Sequence, residues 1–277
     1  MIAFLGRSRI LPAQEWLSRA RTGALSDFDL CLTFDDGLLC QYEVAYPVLN
    51  ANNITAFWFV YTSPLEGSSV RLEMYRYFRT VSFANTEQFY AAFFDFLDRS
   101  RYGSLAQQRL ATFKPSEFLR ACPFYTDGDR RFRFIRDLVL GPEAYEEVMD
   151  AMIEQAGVHL DELAKGLWMD RECLMHLHAE GHIVGLHSYT HPTLMETLDA
   201  SSQETEYRMN KNCLSRILGS APISMSHPCN SYNETTLTIL RSLGIQLGFR
   251  ADMEKAKLSE LEYPREDHTN ILREMKR

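Results

Sequence analysis

Leu32-Thr33-Phe34-Asp35-Asp36-Gly37 reads as a short apolar and β-branched strand that stops at two adjacent carboxylates and a glycine. Successive side chains on a strand point to opposite faces, so Asp35 and Asp36 diverge. That suits a division of labour in which one carboxylate holds a cation and the other handles a proton. Working outward, residues 42–52 carry a helical pattern, with the Asn52-Asn53 pair suited to a left-handed stop. Residues 54–61 are apolar nearly throughout, as in a strand covered on both faces. Strand, helix, strand in this order implies a right-handed parallel unit. After a long gap the alternation resumes. Helices are expected over 171–180, 203–218 and 233–243, with strands over 182–187, 223–226, 245–249 and finally 261–264. A helix over 12–20, with Trp16 and Leu17 on its buried side, precedes the first strand, which is expected over 29–34. A short helix over 270–276 closes the chain.

A second stretch, His187-Ser188-Tyr189-Thr190-His191-Pro192, places two histidines four apart. On one helical turn that spacing puts both imidazoles on one face, where they can share a metal. Two histidines and one carboxylate leave positions open on a zinc-like ion, the pattern of a catalytic rather than a structural site. The alternative is a polar cap on a strand end beside a satisfied histidine pair. His178 and His182 are also four apart, so spacing alone does not single out the second pair.

Both motifs, in this order, resemble the T-F-D-D-G and H-[ST]-x-x-H motifs of the polysaccharide deacetylase family, the NodB homology domain of carbohydrate esterase family 4. The flanks at 41–49 and 179–185 are similar too. The resemblance covers roughly residues 28–62 and 170–272. It implies an α/β fold, an incomplete (β/α) barrel of the NodB type, with the site at the carboxyl ends of the strands. It assigns Asp36, His187 and His191 to a divalent metal, zinc being the simplest choice, and Asp35 to the base. His182 occupies the family's structural histidine position before the strand. The third motif reads His227-Pro228-Cys229-Asn230-Ser231-Tyr232 here, with Asn230 where glycine is usual. Its backbone amides could support an oxyanion. The late Leu-Leu-His-Asp motif is missing. Tyr263-Pro264-Arg265-Glu266-Asp267-His268 stands in its place and looks like the ending of the subgroup linked to surface-glycan assembly. Arg265 is expected to pair with Asp35 and hold its pKa down. His268 is the first candidate for the general acid and His227 the second.

Residues 64–170 change character and are read as a helical insertion in a single domain spanning 1–277. Helices are expected at 115–121, 132–140 and 142–155, and one rich in aromatic residues follows Asn85. That aromatic stripe either packs a core or stacks on sugar rings. Arg130, Arg131, Arg133 and Arg136 either form a solvated face or meet a phosphate. Leaving at the carboxyl end of a strand, the insertion is expected to act as a lid.

A net charge of -8 argues against a nucleic-acid partner. No apolar run approaches the ~20 residues of a spanning helix, and the N-terminal apolar run is too short for a signal peptide. Six scattered cysteines without a Cys-x-x-Cys pair fit reduced thiols and a cytoplasmic setting. The expectation is a metal-dependent hydrolase of carbon–nitrogen bonds other than peptide bonds. Its partner would be an N-acylated amino sugar or sugar conjugate, a precursor or intermediate of surface-glycan biosynthesis. Two other possibilities stay open: a non-sugar amide, formamide or ester on the same site, and a catalytically silent carbohydrate-binding protein.

Overall fold

The computed structural model describes residues 1–68, 70–120, 124–253 and 258–276. Cys122 and the end of the helix expected over 115–121 lie outside them. The chain divides into two compact units, 1–68 with 168–277, and 69–167.

The first unit is built on five parallel strands in the order β1 to β5: Thr33–Phe34, Phe57–Val60, Ile183–Leu186, Ser224–Ser226 and Leu247–Phe249. Sequential order with every pair parallel is the arrangement of a barrel that has not closed, so the expected incomplete barrel is what the chain forms. Side-chain alternation sorts the sheet into two cores. Trp58, Val60, Val184, Leu186 and Met225 point to one face. There they meet Leu49 of Tyr46–Ala51, Leu174 and Leu177 of Arg171–Ala179, Tyr207 and Leu214 of Ala200–Leu218, and Leu237 and Leu240 of Glu234–Ser242. Phe57, Phe59, Ile183, Leu247 and Phe249 point to the other face and meet the helix Ala13–Thr22 and Tyr263. Trp16 lies at the centre of this second core, 5.1–5.9 Å from the rings of Phe57, Phe249 and Tyr263.

Local signals set the element ends. Asp170, Asp199 and Asn233 each accept a backbone N–H as helix N-caps. Gly185 is fixed by crowding, since a Cβ there would stand 2.7 Å from the Ser224 carbonyl and 2.8 Å from Phe59. Two expected strands are shorter than their sequences imply. The first pairs only at Thr33 and Phe34, with Leu30 bridged separately to Ile10, because an edge strand has one neighbour to hold it. The one expected over 261–264 reduces to a bridge between Tyr263 and Phe249. There the chain presses on the sheet backbone: a Cβ on Gly248 would meet the Leu261 carbonyl at 2.4 Å.

The second unit is helical: Arg71–Ser82, Thr86–Arg99, Gly103–Leu110, Asp127–Phe134, Ile135–Leu140, Gly141–Gln155 and Leu160–Ala164. The aromatic stripe is its core. Phe89, Tyr90 and Phe93 pack on Phe132 at 5.4, 5.1 and 5.0 Å. Arg130 and Arg136 are buried rather than solvated; Arg130 donates to the Leu119 carbonyl at 2.8 Å, and Arg136 forks onto Asp137. At 115–117 only a single tight turn forms.

His182 acts structurally. It is 2% exposed, and its Nδ1 accepts from both Ala56 N–H and Trp58 Nε1–H at 3.0 Å. Burial, set against the bond from Ala56, pushes its pKa from 6.5 down to about 4. An unfolded chain therefore binds a proton between these values that the folded chain refuses, so stability falls as the pH drops through this window. The expected loss is on the order of 3 kcal/mol at most. Urea unfolding of wild type against His182→Asn, which keeps an acceptor without a titrating ring, should show a flatter pH dependence for the variant.

Candidate metal and acid–base site

Five side chains converge at the carboxyl ends of β1, β3 and β4. Asp35 and Asp36 follow β1 directly, and Asp36 takes a left-handed backbone at φ 77°. Gly37 continues at φ 66°, under Val60, whose Cγ1 a Cβ would meet at 2.9 Å. The histidine stretch is not a helical turn. It is a loop after β3 that reverses at Ser188 (φ 66°) and His191 (φ 60°), and this reversal brings the two imidazoles together. Left-handed backbone at non-glycine residues costs on the order of 1–3 kcal/mol each and persists only where the surroundings impose it. Here Glu206 imposes it: its carboxylate accepts from the amides of Tyr189 and Thr190 at 2.8 Å and from the Thr190 hydroxyl at 2.6 Å.

Asp36 Oδ1 lies 3.3 Å from His187 Nε2 and 3.2 Å from His191 Nε2. One ligand atom from each residue falls within 4.8 Å of the others. Donors bound tetrahedrally at about 2.0–2.1 Å stand about 3.3 Å apart. Both nitrogen–oxygen separations match that edge, and the donor set suits a zinc-like ion. His187 Nδ1 faces the Ser226 carbonyl at 2.9 Å, which places the ring proton there and leaves the Nε2 lone pair toward Asp36. The His187 amide donates to Asn210 Oδ1 at 3.0 Å. Asn210 in turn donates to the Val60 carbonyl at 2.9 Å and the Thr62 hydroxyl at 3.0 Å.

Asp35 belongs to a different network. Arg265 forks onto it, Nη1 to Oδ1 at 2.8 Å and Nη2 to Oδ2 at 2.7 Å. The remaining guanidinium donors reach the Thr33 hydroxyl at 3.2 Å, the Ser226 hydroxyl at 2.8 Å and the Arg250 carbonyl at 2.6 Å. All five N–H groups that arginine offers are used. The Ser226 hydroxyl donates to Asp35 Oδ2 at 3.1 Å. Burial works against the charge on Asp35, but Arg265 and His187 outweigh it and hold the pKa below the usual carboxylate range. Burial likewise opposes the charge on Asp36, which His191 and His187 reverse more strongly. Burial lowers the His187 pKa, but Asp35 and Asp36 more than reverse this and raise it.

The two general-acid candidates lie outside this convergence. His227 is 1% exposed, stacks on Tyr232 at 4.0 Å and uses Nε2 at the Leu261 carbonyl at 2.9 Å. Burial pushes its pKa down to about 3. His268 begins the helix His268–Met275, with its side chain 72% exposed and 3.5 Å from Asp267. In the third motif, Cys229 and Asn230 are left-handed, but the amides of Asn230 and Ser231 close a turn onto His227 and Pro228. They are not available to an oxyanion.

Sequence reasoning passed over Ser226, Glu206 and Asn210. Asn210 did leave a trace: Gln203, Tyr207, Asn210, Leu214 and Ile217 form the buried stripe of one helix, and an amide on such a stripe marks a buried hydrogen-bond duty.

Fold and site together define a NodB-type half-barrel with a two-histidine, one-carboxylate cluster at its strand ends. Residues 141–248 match the family model described as polysaccharide deacetylase. The matched stretch holds His187 and His191. It begins inside the segment taken from the sequence as insertion, and it stops short of Arg265. A chitin deacetylase from Pestalotiopsis sp is 28% identical over 134 residues, covering 47% of this chain and 43% of that protein. The chain thus spans less than half the length of this relative. Solved structures share the fold. The Streptococcus pyogenes deacetylase PplD in complex with acetate has a TM-score of 0.52 at 16% identity, over 95% of this chain and 78% of that one. The BpsB deacetylase domain from Bordetella bronchiseptica gives 0.53 at 14%, over 93% and 79%. IcaB from Ammonifex degensii gives 0.51 at 15%, over 95% and 79%.

Replacing Asn210 with Leu removes one acceptor and two donors from a fully buried position. It should lower unfolding stability by about 2–4 kcal/mol in urea titrations. A loss below ~0.5 kcal/mol would mean that Asn210 does not hold the β3 end.

Proposed function

We propose that the chain is a metal-dependent N-deacetylase acting on an N-acetylated amino sugar, a precursor or intermediate of a surface glycan. The observation that carries this is the convergence of Asp36, His187 and His191 beside a carboxylate held by its own arginine. The deacetylase names of the relatives support the reaction, and the ending at 263–268 supports the surface-glycan setting. Asp36, His187 and His191 would hold the ion, zinc by its fit to the donor set. Bound there, it would supply Lewis acidity to water and to the amide carbonyl.

The chain's own residues handle the protons. Arg265 and Ser226 occupy three of the roughly four lone-pair sites of Asp35. The site left is on Oδ1, and we assign it the proton of the attacking water. Arg265 fixes the carboxylate plane and keeps it ionised. His227, with its ring proton committed and its protonation disfavoured, is a poor donor to the departing amine.

Alanine at His187 or His191 should strip the ion without unfolding the chain, read by elemental analysis beside circular dichroism; full occupancy in both variants would overturn the ligand assignment. With a panel of N-acetylated sugars and nucleotide sugars followed by mass spectrometry, the metal-loaded wild type should lose acetyl from at least one.

Asp35→Asn should keep the metal and lose ~10²–10⁴-fold in turnover. In the wild type the lowered Asp35 pKa puts the acid limb of kcat/KM below the ordinary carboxylate range. Arg265→Gln removes the main charge responsible, so that limb should move to higher pH. An unmoved limb in the Arg265 variant would separate Asp35 from the rate.

A further inference from the structure

The cluster is dry on one side and open on the other. His187 and His191 side chains are 2% and 3% exposed, whereas Asp36 and Asp35 are 19% and 26%. A substrate must therefore approach from the carboxylate side. What borders that side is the chain around Trp168. Its backbone pairs with Leu38 in an antiparallel bridge, and the Met169 amide donates to the Gly37 carbonyl at 2.9 Å. This clips Trp168 within two residues of Asp36. The indole N–H donates to the Tyr61 hydroxyl, and the Tyr61 ring lies 5.3 Å from the ring of His191. Tyr61 is buried at 1% exposure, so the indole is tethered to a rigid post that touches a ligand of the cluster.

Only the N–H edge of the indole is used in this tether, and Trp168 remains partly exposed. Trp16 and Trp58, by contrast, are buried in the two cores at 5% and 1% exposure. A large apolar ring held at the lip of a charged site, with its one polar atom satisfied internally, presents a flat face to whatever enters. Pyranose rings carry C–H bonds on their faces that complement the negative face of an aromatic ring. Sites of this kind combine aromatic walls with a few placed polar groups.

We propose that Trp168 is the stacking platform that seats a pyranose ring beside the metal cluster, with Tyr61 as the positioning residue that fixes its plane. This rests on the deacetylase reading above. The two buried tryptophans make the test direct, because quenching by acrylamide reports mainly on the exposed one. Triacetylchitotriose is titrated into the metal-loaded Asp35→Asn protein, where it is not consumed, while acetate release from the same sugar is measured with the wild type. The sugar should shift the emission to shorter wavelength and reduce acrylamide quenching at least twofold. Trp168→Phe in the same background should bind the trisaccharide about tenfold more weakly and show no shift, with unchanged metal content. Acetate release by the wild type with no change in tryptophan emission or quenching overturns the role of Trp168 and leaves the deacetylase reading standing. Absence of both acetate release and any fluorescence change overturns the platform together with the sugar reading.

Discussion

The guanidinium of Arg265 is the constraint on which the first unit turns. Five parallel strands in sequential order leave two edges, β1 and β5, with no backbone hydrogen bonds between them. Arg265 spans the gap at the strand ends, reaching Thr33 and Asp35 at β1, Ser226 at β4 and the Arg250 carbonyl just beyond β5. A lysine could not do this, since it offers three donors from one point where arginine offers five in a plane. The pair with Asp35 is largely buried, so removing either partner would strand a charge and cost about 3–5 kcal/mol. One side chain thus joins the edges of the open barrel to the carboxylate of Asp35.

Parallel strands explain why the site can form at all. All five point their carboxyl ends the same way, so residues 35, 187 and 226, distant in sequence, become neighbours. Ser226 shows how tightly they are coupled. Its hydroxyl serves the Asp35–Arg265 network while its carbonyl orients His187, so Asp35 and a cluster histidine share one residue of β4.

The sequence showed the parallel unit and the two motifs because each is local. A strand covered on both faces reads as an apolar run, and carboxylates at its end stand out against it. The Arg265–Asp35 pair was also expected, through the resemblance at 263–268. Less visible was whatever depends on distant partners. The length of β1 follows from its being an edge, and the histidine loop adopts two left-handed residues because Glu206, on another helix, captures its amides. Four-residue spacing implied that one helical turn aligns His187 and His191, whereas a reversal of the loop brings them together. In the second unit Arg130 and Arg136 are buried while Arg131 is exposed, and the partner of Arg130, the Leu119 carbonyl, is a backbone group that charge patterning does not reveal.

A carboxylate with a depressed pKa is a weak base, which sits uneasily with proton abstraction from water at neutral pH. The tension eases once the two carboxylates are considered together. Asp36 and Asp35 are adjacent in the chain, and two close anions would drive one of them to protonate. Arg265 gives Asp35 its counter-charge, and a cation shared with His187 and His191 would give Asp36 another, so both would stay ionised side by side. On the proposed reading the carboxylate gains readiness at the expense of basicity: it is deprotonated and oriented before substrate arrives, and a cation held by Asp36, His187 and His191 would supply the acidity that the attacking water needs. Separate counter-charges for neighbouring aspartates are what allow one strand end to carry both duties.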